Sequence, residues 1–335
     1  MAESKQKRVD IGGQAVMEGV MMKSPDAIAI AVRRPDQTIV VTRHEYEPLS
    51  KKHHWMGLPF IRGAVNMATM LSSGMQTLTE STKMLGVMDE EPTKFELWLS
   101  KKLGKGIDKI VMAVAVVLAV VLSVGLFMAL PAAIENLLKG AGWADWAYTL
   151  AGGVIKIALL IGYMAFCGMV PDVRRTFQYH GAEHKTVYCH ESGAELTPGN
   201  AQPFTTLHPR CGTAFLLIVF VISILLFLLM NVTVLKPVNN YFLRLLAHLV
   251  MLPVVAGVSY EVLKGLAHSE SKIARILRWP GLQMQRLTTR QPDEGMLECA
   301  IVAMNVALHG MPEGLETTEE GYTVMHTFRD SEPKA

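Results

Sequence analysis

His180, Glu183 and His184 carry the residue types of a metal-dependent hydrolytic site. They lie in Tyr179-His180-Gly181-Ala182-Glu183-His184-Lys185, an HxxEH pattern. On a helix, positions four apart share one face, so both imidazoles can reach one ion. The carboxylate beside the second ligand then stands close enough to take a proton from metal-bound water. The same order of residues occurs in inverted zinc-protease motifs. Glu183 is therefore the candidate general base, and His180 and His184 are candidate ligands.

These residues fall in a polar stretch of 42 residues, 171–212, between two apolar segments. Connections of that length usually carry a function or a structure of their own. The first part is expected to extend the preceding apolar helix into the cytoplasm and to present His180, His184 and Tyr188 along one face. The far end, Leu207-His208-Pro209-Arg210-Cys211-Gly212-Thr213, places His208 and Cys211 three apart, and both suit a borderline-soft cation. A catalytic zinc needs three protein ligands and keeps one position for water, so His180, His184, His208 and Cys211 offer more than enough donors. Glu261 is a candidate carboxylate ligand or a partner to an imidazole. Lys185 and Arg210 are candidates for holding an anionic substrate group. The expected cofactor is a divalent metal, with zinc the best match to these donors.

The elements that would position this site are mostly apolar. Of 335 residues, 50% are hydrophobic, and the mean hydropathy of +0.27 is high for a soluble chain. Segments 110–130 and 213–230 hold no charge, and each is close to the length a bilayer requires. Segment 147–170 is interrupted by Lys156, and 241–262 contains Arg244, His248, Pro253 and Glu261. The expected fold is thus a mainly α-helical integral membrane protein with about four transmembrane helices. Lys94, Lys101, Lys102, Lys105 and Lys109 precede the first segment, Arg174, Arg175, Lys185 and Arg210 follow the second, and Lys264, Lys272, Arg275 and Arg278 follow the fourth. The two short opposite loops hold only Lys139 and Lys236. The positive-inside rule then predicts a multi-pass protein of the plasma membrane, with both termini and the histidine-rich loop in the cytoplasm. Residues 1–10 are polar and lack the apolar core of a signal peptide. The net charge of +2 gives no reason to expect nucleic acid as a partner. Cys167, Cys189, Cys211 and Cys299 form no CxxC pair, and free thiols are expected.

Four parts are expected along the chain: a cytoplasmic α+β unit at 9–88, a four-span membrane domain at 107–265, a cytoplasmic helical segment at 280–310 and a disordered tail at 311–335. In the first, 27–34 and 38–47 read as strands around the turn Pro35-Asp36-Gln37, and 60–84 reads as a helix rich in small residues. The preceding Gly-rich run, 11–22, reads as a packing segment, with Glu18 able to reach toward the histidines. It lacks the Gly-Lys-Ser/Thr ending of a phosphate loop. In the third part, Asp293 is expected to cap a helix that Gly310 stops.

GGQAVMEGVMM, FQYHGAEHKT, HPRCGT, Ser259-Tyr260-Glu261 and PGLQMQRLTTRQP, in this order, resemble the YqhQ family, bacterial membrane proteins described as predicted metal-dependent enzymes. The resemblance covers about 9–310. It implies a metal site at His180, Glu183, His184, His208 and Cys211, and it supplies neither fold nor substrate. The leading expectation is a cytoplasm-facing metal-dependent hydrolase. The alternative is a non-catalytic factor that binds membrane-protein partners or further copies of itself, in membrane-protein assembly or quality control. A transporter would use Lys156, Arg244 and His248, but the segments show no inverted repeat or paired broken helices.

Overall fold

The computed structural model describes residues 11–86, 107–138, 142, 145–238, 240–269 and 271–332. The flank holding Lys94, Lys101, Lys102 and Lys105 lies outside these residues, as does Lys139. The protein is mostly helical, with an N-terminal antiparallel sheet. It divides into two compact units, one of 1–86, 164–223 and 245–335, the other of 87–163 and 224–244.

The first unit is built on a five-stranded antiparallel meander in the order β1 to β5. The Gly-rich run is a hairpin rather than a packing segment: β1 (Gly12–Val16) pairs with β2 (Gly19–Lys23) around Met17 and Glu18. So tight a turn demands left-handed backbone, and Glu18 supplies it at φ 50°. Its carbonyl is held by the Arg33 N–H at 2.8 Å. β3 (Ala27–Arg33) and β4 (Ile39–Glu45) follow, their turn closed by Asp36, whose Oδ1 accepts from the Thr38 N–H and hydroxyl at 3.0 and 2.6 Å.

Alternating side chains send the sheet into two cores. Val20, Met22, Ala29, Ala31, Ile39 and Val41 face one; Met21, Ile30, Val32 and Val40 face the other. The second core is closed by Met84 and Leu85 at the end of helix α1 (Ile61–Met84). The start of α1 is pinned by glycine contacts and a forked ion pair. A Cβ on Gly63 would lie 2.8 Å from the Gly257 Cα, and one on Gly257 would lie 2.4 Å from the Phe60 carbonyl oxygen. Arg62 donates to both oxygens of Glu261, at 2.7 and 2.6 Å.

The tail expected to be disordered is ordered through Glu332. β5 (Thr323–Met325) covers the edge of β4, with Met325 opposite Ile39 and fully buried. A polar composition concealed this, because three residues suffice to cover an open strand edge. Just beyond, Ser331 accepts from the buried Asn305 amide at 3.1 Å. Met325→Ala should destabilise the first unit by about 2–5 kcal/mol in thermal or denaturant unfolding. A change within error would mean that this edge is not packed.

The second unit contains helix α2 (Ile107–Val124), which runs through a π-helical turn (Gly125–Ala129) into Leu130–Leu138, and most of α3 (Asp145–Cys167). Gly153 permits contact with Ile224, whose Cγ2 would lie 2.8 Å from an added Cβ. Phe127 and Tyr163 meet edge to face at 6.0 Å. Arg244 donates to the Val238 and Leu235 carbonyls at 2.6 and 2.9 Å.

Among the described residues two helices are long and apolar enough to cross a membrane, over Leu150–Cys167 in α3 and Phe242–Leu266 in α6 (Tyr241–His268). Val114–Phe127 and Leu216–Val232, the latter in α5 (Gly212–Val232), are shorter apolar runs. Four crossings were expected from the sequence, and two runs meet the length requirement among the described residues.

Candidate metal centre

Helix α4 (Pro171–Ser192) carries the HxxEH pattern. It is a separate helix, not an extension of α3, because Val170 is extended (φ −71°, ψ 128°) before Pro171. The residue before a proline avoids the helical region, and proline is suited to the first helical position. Gly193, left-handed at φ 77°, ends the helix. Tyr179, Ala182, Val187 and Cys189 anchor α4 in the core against helix α8 (Glu294–His309). Asp293 caps α8 by accepting from the Met296 N–H at 2.8 Å.

Both histidines are oriented by backbone carbonyls. His180 Nδ1 donates to the Thr288 carbonyl at 2.9 Å, at the end of helix α7 (Lys272–Thr288). His184 Nδ1 donates to the Thr206 carbonyl at 2.5 Å. These bonds assign the proton to Nδ1 in each ring and leave Nε2 as a lone-pair donor. His180 Nε2 lies 3.2 Å from Cys211 Sγ. His184 Nε2 is buried and makes no hydrogen bond. One ligand atom from each of His180, His184 and Cys211 falls within 4.8 Å of the others. These three donors could hold a metal ion, and each imidazole has a backbone carbonyl of the kind that metal-bound histidines use as an outer partner. Burial lowers the pKa of His184 and so favours the neutral ring that can ligate, while the Cys211 thiol acts in the opposite direction.

Glu183 stands at the edge of this group, its Oε2 3.9 Å from His180 Nε2. Burial raises its pKa above the usual carboxylate range, opposed by His180 and the Gly13 N–H. A carboxyl moved toward neutrality is a better proton acceptor than an ordinary one. Strand β1 must pass close by to supply that N–H: a Cβ on Gly13 would lie 2.9 Å from Glu183 Cγ and 2.6 Å from the Met21 carbonyl oxygen.

The other expected site residues are placed differently. His208 adjoins the group, its ring 5.7 Å from His184 and 4.6 Å from Tyr188, but it is not one of the three converging donors. Gln285 grips its backbone on both sides, accepting from the N–H at 2.8 Å and donating to the carbonyl at 2.7 Å. The His208 Nε2 lies 3.5 Å from Glu191 Oε1, which Arg210 also engages. Lys185 is buried and donates to the Gln202 carbonyl. Glu261 is not brought to the cluster, since both its oxygens accept from Arg62. Glu18 turns to Arg175, at 2.5 Å to each oxygen, rather than to the histidines. Sequence reasoning missed Thr206, Thr288, Gln285, Gly13 and Glu191. The first two act through backbone carbonyls, which leave no side-chain signature. Gln285 and Thr288 do lie in the PGLQMQRLTTRQP stretch.

Residues 58–310 match the family model described as "Protein of unknown function (DUF1385)". The chain belongs to this family. It is also 32% identical over 304 residues to the "Uncharacterized protein YqhQ" of Bacillus subtilis (strain 168), covering 89% of this chain and 92% of that one. No solved structure matches it. The matched DUF1385 region includes all three converging donors, Glu183 and the whole of α7. It excludes all five strands, β1 to β5, but the YqhQ alignment covers more of the chain.

Proposed function

We propose that this protein is a multi-pass membrane metallohydrolase with its site at the cytoplasmic face. The observation that carries the reading is His184 Nε2, buried without a hydrogen-bond partner while its Nδ1 is locked to Thr206. A buried nitrogen left unpaired costs about 1–3 kcal/mol, a cost that a bound cation at His180, His184 and Cys211 removes. Two imidazoles and a thiolate suit zinc among the divalent ions. When bound, the ion would supply Lewis acidity and an acidified water. Glu183 would accept the water proton and return it to the leaving group, and the Gly13 N–H would orient its carboxylate. His208, Glu191 and Arg210 would line the neighbouring wall.

The membrane part of the reading draws on helix exposure. Only 17% of Leu150–Cys167 and 24% of the Phe242–Leu266 window are buried within the protein. Apolar helices so little covered need a nonpolar surrounding. With the shorter runs as two further crossings, this reading assigns 171–212 to the cytoplasm, and the basic flanks support that side.

Glu183→Gln tests catalysis against docking, since it removes the base and keeps the shape. The variant should accumulate and bind metal normally. In cells lacking the native copy it should fail to restore function, with turnover lowered by about 10²–10⁴-fold. Full restoration would instead support the non-catalytic partner-binding reading.

A further inference from the structure

We propose that the N-terminal half of α7 is an interfacial anchor, lying in the headgroup layer of an anionic lipid bilayer. Ile273, Ile276 and Leu277 recur on one side of the helix and are 71%, 70% and 54% exposed, and Trp279 beside them is 61% exposed. The buried residues of α7 are Ala274, Gly281, Met284, Gln285 and Thr288, all but Ala274 in its C-terminal half. By helical periodicity Met284 and Thr288 continue the line of Ile273 and Leu277, so the protein covers the C-terminal half of this side and leaves the N-terminal half open. A patch of large side chains left open in this way marks an interaction surface.

Charge selects the occupant. The helix contains Lys272, Arg275, Arg278 and Arg286 and no acidic residue. Arg278 is engaged with the Ala274 and Ser269 carbonyls at 3.3 and 3.0 Å. Lys272 and Arg275 flank the exposed apolar side chains. Apolar side chains bordered by cations, with a tryptophan at the boundary, are what a helix lying in an anionic interface requires. Position supports the same occupant. Only 269–271 separate α7 from the helix that carries the Phe242–Leu266 run and ends at His268, and this link reaches roughly 14 Å at most. If that run crosses the bilayer, α7 begins at its surface. The inference rests on the membrane reading above and not on the metal. Through Thr288 and Gln285 the same helix holds His180 and His208, so the anchor would fix the candidate site at headgroup level.

The test uses the full chain in nanodiscs of equal parts phosphatidylglycerol and phosphatidylcholine. Subtracting the emission of Trp279→Phe isolates Trp279. Phosphatidylcholine brominated near the headgroup should remove most of that emission, and aqueous iodide should barely change it. Quenching by iodide and not by bromolipid would overturn the anchor even if the protein still needs detergent for extraction. Protection from both quenchers would put a protein surface there, a second copy or a partner, and would also overturn it. Release of the protein from membranes by alkaline wash without detergent would instead overturn the membrane reading itself. In the same nanodiscs, Lys272→Gln with Arg275→Gln should weaken the bromolipid effect, and undiminished quenching would overturn the part assigned to charge.

Discussion

Protein in which His180 and His184 are both alanine should purify without metal, whereas the unaltered chain should carry close to one zinc per molecule by elemental analysis. The substitutions remove two of the three donors that lie within 4.8 Å of one another. A single lost outer partner of a ligand typically weakens a site by about 10–100-fold, and loss of two ligands outright is far more severe. The histidines also satisfy the Thr288 and Thr206 carbonyls, so the double variant leaves both without these donors and opens space beside α4. A second variant therefore guards against simple misfolding. Cys211→Ser keeps nearly the same volume and retains both imidazoles while replacing a thiolate by a far weaker ligand. It too should lose most of the metal, with an unfolding transition close to that of the metal-stripped native chain. A full metal complement in the double variant would rule out this site.

Gly181→Ala should lower the melting temperature and the metal content together. In an exposed helix interior the same change stabilises, because alanine is favoured over glycine by about 1 kcal/mol. Here the sign should reverse. The added Cβ would lie 2.0 Å from the Arg290 carbonyl oxygen and 3.3 Å from Thr206 Cγ2. The first contact is with backbone, so no rotamer change relieves it. The segment that must move is tied to α4 by the Arg290 N–H, which donates to the Phe177 carbonyl at 2.8 Å, and it directly follows Thr288, which orients His180. Overpacking costs about 1–3 kcal/mol, occasionally more, and this contact belongs at the upper end. Thermal unfolding followed with and without added zinc measures both effects. An unchanged or raised melting temperature would mean that the 289–292 segment does not pack on α4.

Residue types and spacing are enough to mark α4 as the carrier of the candidate site. HxxEH places two imidazoles on one face because helical geometry is local, and a helix needs no partner to align positions four apart. The apolar runs and the β3–β4 turn were legible for the same reason: hydropathy and turn chemistry act over a few residues. The Gly12–Lys23 hairpin was hidden, since three glycines and three methionines weaken the alternation that marks a strand. β5 was hidden because its stability comes from the edge of β4, almost 300 residues away.

The choice among candidate ligands was not local at all. His208 and Cys211 read as equivalent donors in one turn, yet Cys211 meets the two imidazoles while His208 turns to Tyr188, Gln285 and Glu191. Glu261 read as a reserve carboxylate, but a forked arginine from α1 claims it. Thr206 and Thr288 entered through carbonyls that every residue possesses. Sequence determines which side chains are able to bind or to move a proton. Which of them converge depends on packing between segments tens to hundreds of residues apart, and on where buried backbone groups find their partners.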